Sequence, residues 1–229
     1  MVFHKNFGRL LLLVLVFLAQ AANASPAQSP GFKTLPSGSK VVLMPMDVEL
    51  FSISAGGVLE PQAEWTSQAL GNLKGAFHTR EHKNAIVFSE LPDEPDDAID
   101  SLNRLHGAVG SAINFHHFGP MNLPTKEKRL EWTLGPDVAT IRQKTGADYA
   151  LFTFMRDSYA SGERVAAMVV AAMFGVGLGG GVQVGYVSLV DLSSGEILWF
   201  NQLVRGTGDL RTASSAKESL DALLDKFPE

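Results

Sequence analysis

The chain has 229 residues, of which 45% are hydrophobic and 19% are charged, and its formal net charge is −5 at pH 7. This composition supports a buried core and excludes intrinsic disorder for most of the chain, while the acidic balance argues against nucleic-acid binding. The sequence contains no cysteine, which excludes disulfides, thiolate metal sites and cysteine nucleophiles.

The first 24 residues have the pattern of a secretory signal peptide. Lys5 and Arg9 precede the apolar run 10–19, and residues 22–24 read Ala-Asn-Ala, a small-residue cleavage site. The run is shorter than the roughly 20 residues of a transmembrane helix, although an uncleaved anchor is the alternative. We therefore expect a periplasmic or otherwise exported chain that is soluble or peripherally membrane-associated. Without a cysteine at the cleavage site, it is not expected to be a lipoprotein.

Residues 25–39 are rich in Pro, Ser and Gly and are expected to form a flexible leader to a single α/β domain spanning 40–229. Short apolar runs predict strands, and apolar stripes at helical spacing predict helices. The predicted strands are 40–46, 85–88, 147–155, 182–192 and 196–204. The predicted helices are 61–83, 95–113, 136–146 with a glycine cap, 165–174 and 214–227.

A hairpin signal, Ser193-Ser194-Gly195, joins the last two predicted strands. The order of elements predicts an α/β (α+β) fold. Specifically, we expect a mixed sheet of about five strands with a C-terminal antiparallel hairpin, flanked by helices. The stretch 115–132, which contains two prolines and a mixed-charge run, is expected to be a surface loop.

Residues 165–190 contain no charged side chain, and three interpretations compete for them. A G-x-G-x-x-G pattern begins at Gly175, but a strand-like sequence follows where a nucleotide-binding loop needs a helix. Membrane contact through 165–181 fits the small-residue spacing, yet the density of glycines favours a break in the helix. The favoured interpretation is a buried or partner-facing helix over 165–174, then a glycine turn and the hairpin.

If this helix is exposed, its apolar side chains form a docking surface for another subunit or for the bilayer. Flexible methionine side chains adapt to the shape of a partner, and the glycines behind them act as a hinge. The predicted partner-binding residues are Met168, Val169, Met173, Phe174, Gly175 and Gly177.

One short motif has the residue types of a metal site. His78, Glu81 and His82 form an H-x-x-E-H pattern, which supplies two zinc ligands and a base in inverted zinc proteases. Both histidines fall opposite the apolar stripe of their helix, and no third ligand is evident, so a solvated helix face is favoured. His106 falls within an apolar stripe and is expected to be a hydrogen-bonded core histidine.

Three stretches carry a resemblance to known proteins: a V-x-x-x-P run at 41–45, a G-A-x-Y-x-L strand at 146–151 and a D-x-x-S-G-E turn at 191–196. They resemble exported bacterial proteins of largely unassigned function, whose α/β domain is similar to the CsgG-like domain of the curli-secretion lipoprotein and to the amino-terminal domain of TolB. The resemblance covers about 40–226 and implies a non-enzymatic envelope protein that assembles with others. The lipidated cysteine and the pore-forming hairpins are absent from this sequence.

These observations predict a non-enzymatic, exported cell-envelope protein that acts by protein–protein association, as an accessory subunit of an envelope assembly or transport system. Its expected partner is an envelope protein or a second copy. The alternatives are a zinc-dependent hydrolase using the motif at 78–82 and a binder of a small envelope ligand. Neither a cofactor nor a nucleic-acid partner is expected.

Overall fold

The computed structural model describes residues 25–80, 85–91 and 96–229, which form eight strands and five α-helices. This mixed α/β arrangement confirms the predicted fold class. The strands are β1 (Ala27–Gln28), β2 (Lys40–Leu43), β3 (Asp47–Ile53), β4 (Leu59–Pro61), β5 (Val87–Glu90), β6 (Tyr149–Ala160), β7 (Gln183–Asp191) and β8 (Ile197–Arg205). The helices are α1 (Ala63–His78), α2 (Asp97–Ile113), α3 (Ala139–Thr145), α4 (Gly162–Met173) and α5 (Ala213–Leu223).

All eight strands belong to one open sheet built around the long strand β6. Its order is β1-β8-β7-β6-β2-β5, and β3 also pairs with β6 and carries β4 on its other side. Both β2 and β3 run parallel to β6, the first along its beginning and the second along residues 154–160. The C-terminal hairpin β7–β8 is antiparallel, as predicted, and pairs Gln183 with Arg205 at its open end.

The sheet separates two hydrophobic cores, because successive side chains of a strand point to opposite faces. Leu151 of β6 contributes to the core that contains Leu73 of α1 and Leu220 of α5. Its neighbour Phe152 contributes to the second core, together with Ile99 of α2 and residues of α3. Both faces of the central sheet are therefore covered by helices.

The helices begin and end where local chemistry allows. The side chain of Asp96 accepts hydrogen bonds from the backbone N–H groups of Ala98 (3.1 Å) and Ile99 (3.3 Å), which caps α2. α3 ends at Gly146, as predicted, where φ is +68° and glycine avoids the strain of a left-handed residue. The predicted loop at 115–132 contains two short irregular helical turns, at 114–118 and 124–126.

The sheet has three more strands than predicted: β1, β3 and β4. β1 lies in the segment expected to be a flexible leader, and Ala27 pairs with Phe200 of β8. Leu35 is 3% exposed within the first core, and its N–H donates a hydrogen bond to the Pro228 carbonyl (2.9 Å). The leader is thus packed on the domain, because strand pairing and burial of Leu35 offset the entropy of ordering it. The predicted signal peptide lies outside the described residues.

Candidate partner-binding surface

Helix α4 lies in the connection between β6 and β7, beyond the ends of these two strands. The hydroxyl of Ser161 accepts a hydrogen bond from the backbone N–H of Arg164 (3.1 Å) and caps the helix N-terminus. The N–H of Ser161 in turn donates to the carbonyl of Ile53, the last residue of β3 (3.0 Å). The helix therefore begins from a fixed point at the sheet's edge.

The C-terminus of α4 is closed by a Schellman motif. The N–H of Val176 donates to the carbonyl of Ala171 (2.9 Å), and the N–H of Gly175 donates to the carbonyl of Ala172 (3.0 Å). Gly175 has φ of +73°, a conformation that costs a side-chain-bearing residue energy. This stop places Met173 and Phe174 at the tip of the helix, before the chain turns back toward β7.

The side chains of α4 lie mostly in solvent. None of its twelve residues, all of which the structure describes, is buried, although nine consecutive residues from Val165 are apolar. A helix that is apolar on all sides is normally buried. Met173 is 78% exposed and Phe174 is 80% exposed. We define the α4 surface as the exposed residues Val165, Val169, Val170, Met173, Phe174, Val176 and Val182.

The segment that returns from α4 to β7 is held in place by specific contacts. Arg164 donates two hydrogen bonds to the Gly179 carbonyl, both 3.2 Å, and one to the Ala55 carbonyl in the β3–β4 turn (3.2 Å). The Met168 methyl group lies 3.2 Å from the position of an added Cβ on Gly180. At Gly181, an added Cβ would lie 2.1 Å from the Ser158 carbonyl oxygen. The return segment therefore packs closely on α4 and on the sheet.

A buried polar network joins β6, β7 and β8 at the end of the sheet nearest to α4. Asp157 of β6 accepts hydrogen bonds from the Ser158 N–H (2.9 Å), the Gln183 amide (2.7 Å) and the Tyr159 hydroxyl. Burial raises the pKa of Asp157, while these hydrogen bonds oppose the rise. The Nε–H of Arg205 donates to Gln183 (2.8 Å), which links β8 to the same network. Each of these polar side chains has a hydrogen-bond partner, so the network stabilises the ends of β6 and β7, to which α4 and its return segment are attached.

The structure places all six predicted partner-binding residues on α4 or immediately after it. Val169, Met173 and Phe174 are exposed, and Gly175 ends the helix. Gly177 lies in the return segment with open space beside it. Met168 is half-buried and packs toward Gly180 instead of projecting outward.

Sequence reasoning missed the exposed apolar residues next to α4. Val58 and Leu59, at the β3–β4 turn, are exposed. Arg164 contacts this turn both through the Ala55 carbonyl and near Gly57, where an added Cβ would lie 3.6 Å from its guanidinium nitrogen. The Gly56-Gly57 pair between apolar residues is the hairpin signal that would have located this turn.

The predicted metal motif is only partly described by the structure. His78 lies at the end of α1, is exposed, and its Nε2 lies 3.0 Å from Oε1 of Glu90. Glu81 and His82 lie outside the described residues. Within 25–80, 85–91 and 96–229, no group of three or more His, Asp or Glu residues could hold a metal ion.

His106 is the core histidine that the sequence predicts. It is almost fully buried on α2, and its Nε2 lies 2.9 Å from the Ser188 hydroxyl. Burial lowers the pKa of His106 to about 3 because the protonated ring would lose its hydration. The neutral ring packs against Phe152 and Tyr186 in the core.

Two cavities in the described part of the chain are lined mainly by polar groups. One of about 360 Å³ lies near the start of β6, beside Arg142, Asp148 and Asp191. A second of about 250 Å³ lies beside Asp221 and Asp225 at the end of α5. In the larger cavity the Ser193 hydroxyl donates to Oδ1 of Asp191 (2.6 Å), and the same oxygen accepts from the backbone N–H groups of Ser193 and Ser194, so this pair belongs to the turn between β7 and β8.

The small-residue spacing that suggested membrane contact through 165–181 does not lie within one helix in the structure. α4 ends at Met173, before Gly175 and Gly179, so these two glycines do not share a helix face. Among the described helices, none has both the length and the apolar character to cross a bilayer.

No family model and no curated protein matches the chain. Among solved structures, a PelC dodecamer from Paraburkholderia phytofirmans is 14% identical, with a TM-score of 0.37, covering 87% of this chain and 91% of that chain. The LpoB C-terminal domain from Salmonella enterica is 13% identical, with a TM-score of 0.30, covering 77% and 87%. Lipoprotein GNA1162 from Neisseria meningitidis is 11% identical, with a TM-score of 0.31, covering 82% and 94%. Likeness at this level does not define a shared activity.

Proposed function

We propose that the chain is a non-enzymatic, exported protein of the cell envelope that works by protein association through the α4 surface. The observation that carries this proposal is the exposure of Met173 and Phe174 at the tip of a helix with no buried residue. Exposed apolar surface of this extent costs free energy in water, and a partner that covers it recovers that free energy.

The rigidity of the α4 surface supports a role in binding. The Ser161 cap, the Schellman motif at Gly175 and the Arg164 hydrogen bonds hold the helix and the return segment in one conformation. A preorganised surface loses less conformational entropy on association than a mobile one. Binding therefore does not require α4 to fold first.

Photo-crosslinking in intact cells tests this function directly. A benzophenone amino acid in place of Phe174 is expected to give a discrete adduct with protein. The substitution Met173→Glu is expected to remove the adduct, because a carboxylate at the centre of an apolar interface must be desolvated. The measurement is gel migration of the tagged chain, followed by mass spectrometry of the attached species.

A benzophenone at Met121, which is 58% exposed in the stretch between α2 and α3, is the matched control and is expected to give no discrete adduct. Adducts with lipid alone at position 174 would assign the surface to the bilayer and contradict the proposal. Protein adducts that persist after Met173→Glu, or the absence of any adduct at position 174, would also contradict it.

A further inference from the structure

We propose that cleavage after Ala24 creates a positive charge on Ser25 that binds in the cavity at the end of α5 and so fixes the N-terminal segment on the sheet. This inference rests on the export that the proposed function includes, and it concerns a different part of the molecule from the α4 surface. It is carried by the position of the predicted cleavage site in the wall of that cavity.

Cleavage of the predicted signal peptide changes the charge at one defined atom. Hydrolysis of the peptide bond between Ala24 and Ser25 adds one water molecule, which leaves a carboxylate on Ala24 and an α-ammonium group on Ser25. Before cleavage, the nitrogen of Ser25 belongs to an uncharged amide. The exported chain therefore has a positive charge at Ser25 that its precursor lacks.

Ser25 lies in the wall of the smaller of the two polar cavities. This cavity has a volume of about 250 Å³, and Ser25 and Pro26 line it together with residues of β8 and of the end of α5. The charged side chains in its wall are those of Asp221, Asp225 and Lys226. Two carboxylates and one ammonium group give the wall a net negative charge, to which a further ammonium group is complementary.

Strand pairing keeps Ser25 at this cavity. Ala27, two residues further along the chain, pairs with Phe200 of β8. The N–H of Ser29 donates a hydrogen bond to the Leu198 carbonyl (2.9 Å), which continues the pairing. Two residues of extended chain span at most about 7 Å. The α-ammonium group is therefore tethered close to the edge of β8.

The opposite wall of the cavity is held by the same strand. The side-chain amide of Asn201 in β8 donates hydrogen bonds to the carbonyls of Ala222 (3.0 Å) and Leu223 (2.9 Å) at the end of α5. The backbone dipoles of a helix favour a positive charge near its C-terminal end. The end of α5 and the nearby carboxylates thus act on the new charge in the same direction.

Of the two carboxylates, Asp225 is the better partner for the new charge. Asp221 already pairs with Lys217 (2.6 Å) and Arg80 (3.2 Å). The ion-pair partner of Asp225 among the described residues is Lys226, at 3.9 Å, and both side chains are more than 60% exposed. Such a pair contributes little to stability. An α-ammonium group that β1 holds in place loses little freedom on pairing, whereas a lysine side chain loses several rotatable bonds.

The new ion pair reinforces a short contact. β1 contains two residues, so few backbone hydrogen bonds join this segment to the edge of β8. Short pairings at the end of a chain open locally at a low cost in free energy. In the precursor, the uncharged amide of Ser25 gives Asp225 no charge to attract. Removal of the signal peptide therefore tightens the N-terminal segment on the domain.

Mass spectrometry of the chain isolated from the cell envelope is the first test, and we expect Ser25 as its first residue. A chain that begins at any other residue would overturn the inference. If the chain is found in the envelope with residues 1–24 still attached, export stands and this inference fails. If Ser25 is the first residue but no adduct forms at position 174, the proposed role of the α4 surface fails and this inference stands.

Hydrogen exchange measures what the charge does. The mature chain is compared with the same chain acetylated on Ser25, because acetylation restores an uncharged amide at this nitrogen. We expect the N–H of Ser29 to exchange about two- to fivefold faster in the acetylated chain. The N–H of Val187, in the central strand β7, should exchange at the same rate in both chains. Equal exchange of the Ser29 N–H in the two chains would overturn the inference.

Substitution of Asp225 identifies the partner of the charge. In Asp225→Asn, we expect acetylation to change the exchange of the Ser29 N–H much less than in the unaltered chain, because the ion pair is already lost. Glu131→Gln removes the same charge from a residue that does not line the cavity, so it should keep the full effect of acetylation. An undiminished effect in Asp225→Asn would overturn the proposed ion pair.

Discussion

Close packing of α2 on the sheet depends on two residues without side chains. An added Cβ on Gly110 would lie 2.1 Å from Cε2 of Tyr186, and the Tyr186 hydroxyl donates to the Gly107 carbonyl (2.6 Å). The same ring stacks on Phe154 with a centroid distance of 4.5 Å, and burial raises the pKa of Tyr186 to about 12. The stacked rings of Phe154 and Tyr186 therefore pack against α2 only while position 110 has no side chain.

Replacing Gly110 by alanine should lower the free energy of unfolding by about 2 kcal/mol, because the methyl group forces the Tyr186 ring or the helix to move. Gly71→Ala is the matched control. It lies in the interior of α1 with no atom within 4 Å of an added Cβ, so we expect it to raise the free energy of unfolding by about 0.5–1 kcal/mol. Urea denaturation of both variants measures the difference. Equal stabilisation by both substitutions would contradict the packing described here.

Among whole elements, those with strong local patterns could be predicted from the sequence. All five predicted strands are present, and the apolar runs of β2, β6, β7 and β8 are buried on the two faces of the sheet. β5 covers 87–90 where 85–88 was predicted, and it is mostly exposed. β3 was missed because Asp47 and Glu49 interrupt its apolar pattern. In the fold they pair with Arg156 of β6, at 2.7 and 3.4 Å. A partner more than a hundred residues away is not visible in a local pattern.

The candidate surface could be predicted in part. The apolar run predicts a helix over 165–174, and Gly175 predicts its end, as the structure has it within a few residues. The exposure of the helix could not be predicted, because an unbroken apolar helix fits a buried position equally well. Exposure depends on what packs over the end of the sheet, which is set by the tertiary fold.

The packing of the N-terminal segment gives a prediction for a single element. Leu35→Ala should lower the free energy of unfolding by about 2–4 kcal/mol, because it removes a fully packed side chain from the first core. Leu59→Ala, at a leucine that is 53% exposed on β4, should change it by less than about 0.5 kcal/mol. Denaturant unfolding provides both values. Similar small effects would mean that residues 25–39 are detached from the domain, as the sequence suggested.

The acid stability of the whole molecule depends on buried titratable groups on both faces of the sheet. The pKa of His106 falls to about 3 on burial, whereas an unfolded histidine titrates near 6.5. Between these values the unfolded chain binds a proton that the folded chain does not, so stability declines as pH falls below about 6.5. Asp157 has the opposite effect on stability. Burial raises its pKa, so the folded chain takes up a proton before the unfolded chain does as the pH falls.

Substituting His106 isolates its part of this pH dependence. Between pH 7 and pH 5, the unaltered chain should lose about 2 kcal/mol of unfolding free energy through His106, and His106→Gln, although less stable at pH 7, should lack that loss. Ser188→Ala removes the hydrogen bond between Ser188 and His106 but keeps the buried imidazole ring. We therefore expect this variant to retain the decline in unfolding free energy. Urea denaturation at pH 5, 6 and 7 gives the three curves. An equal decline in the His106→Gln chain would mean that folded His106 takes up its proton as readily as the unfolded residue does.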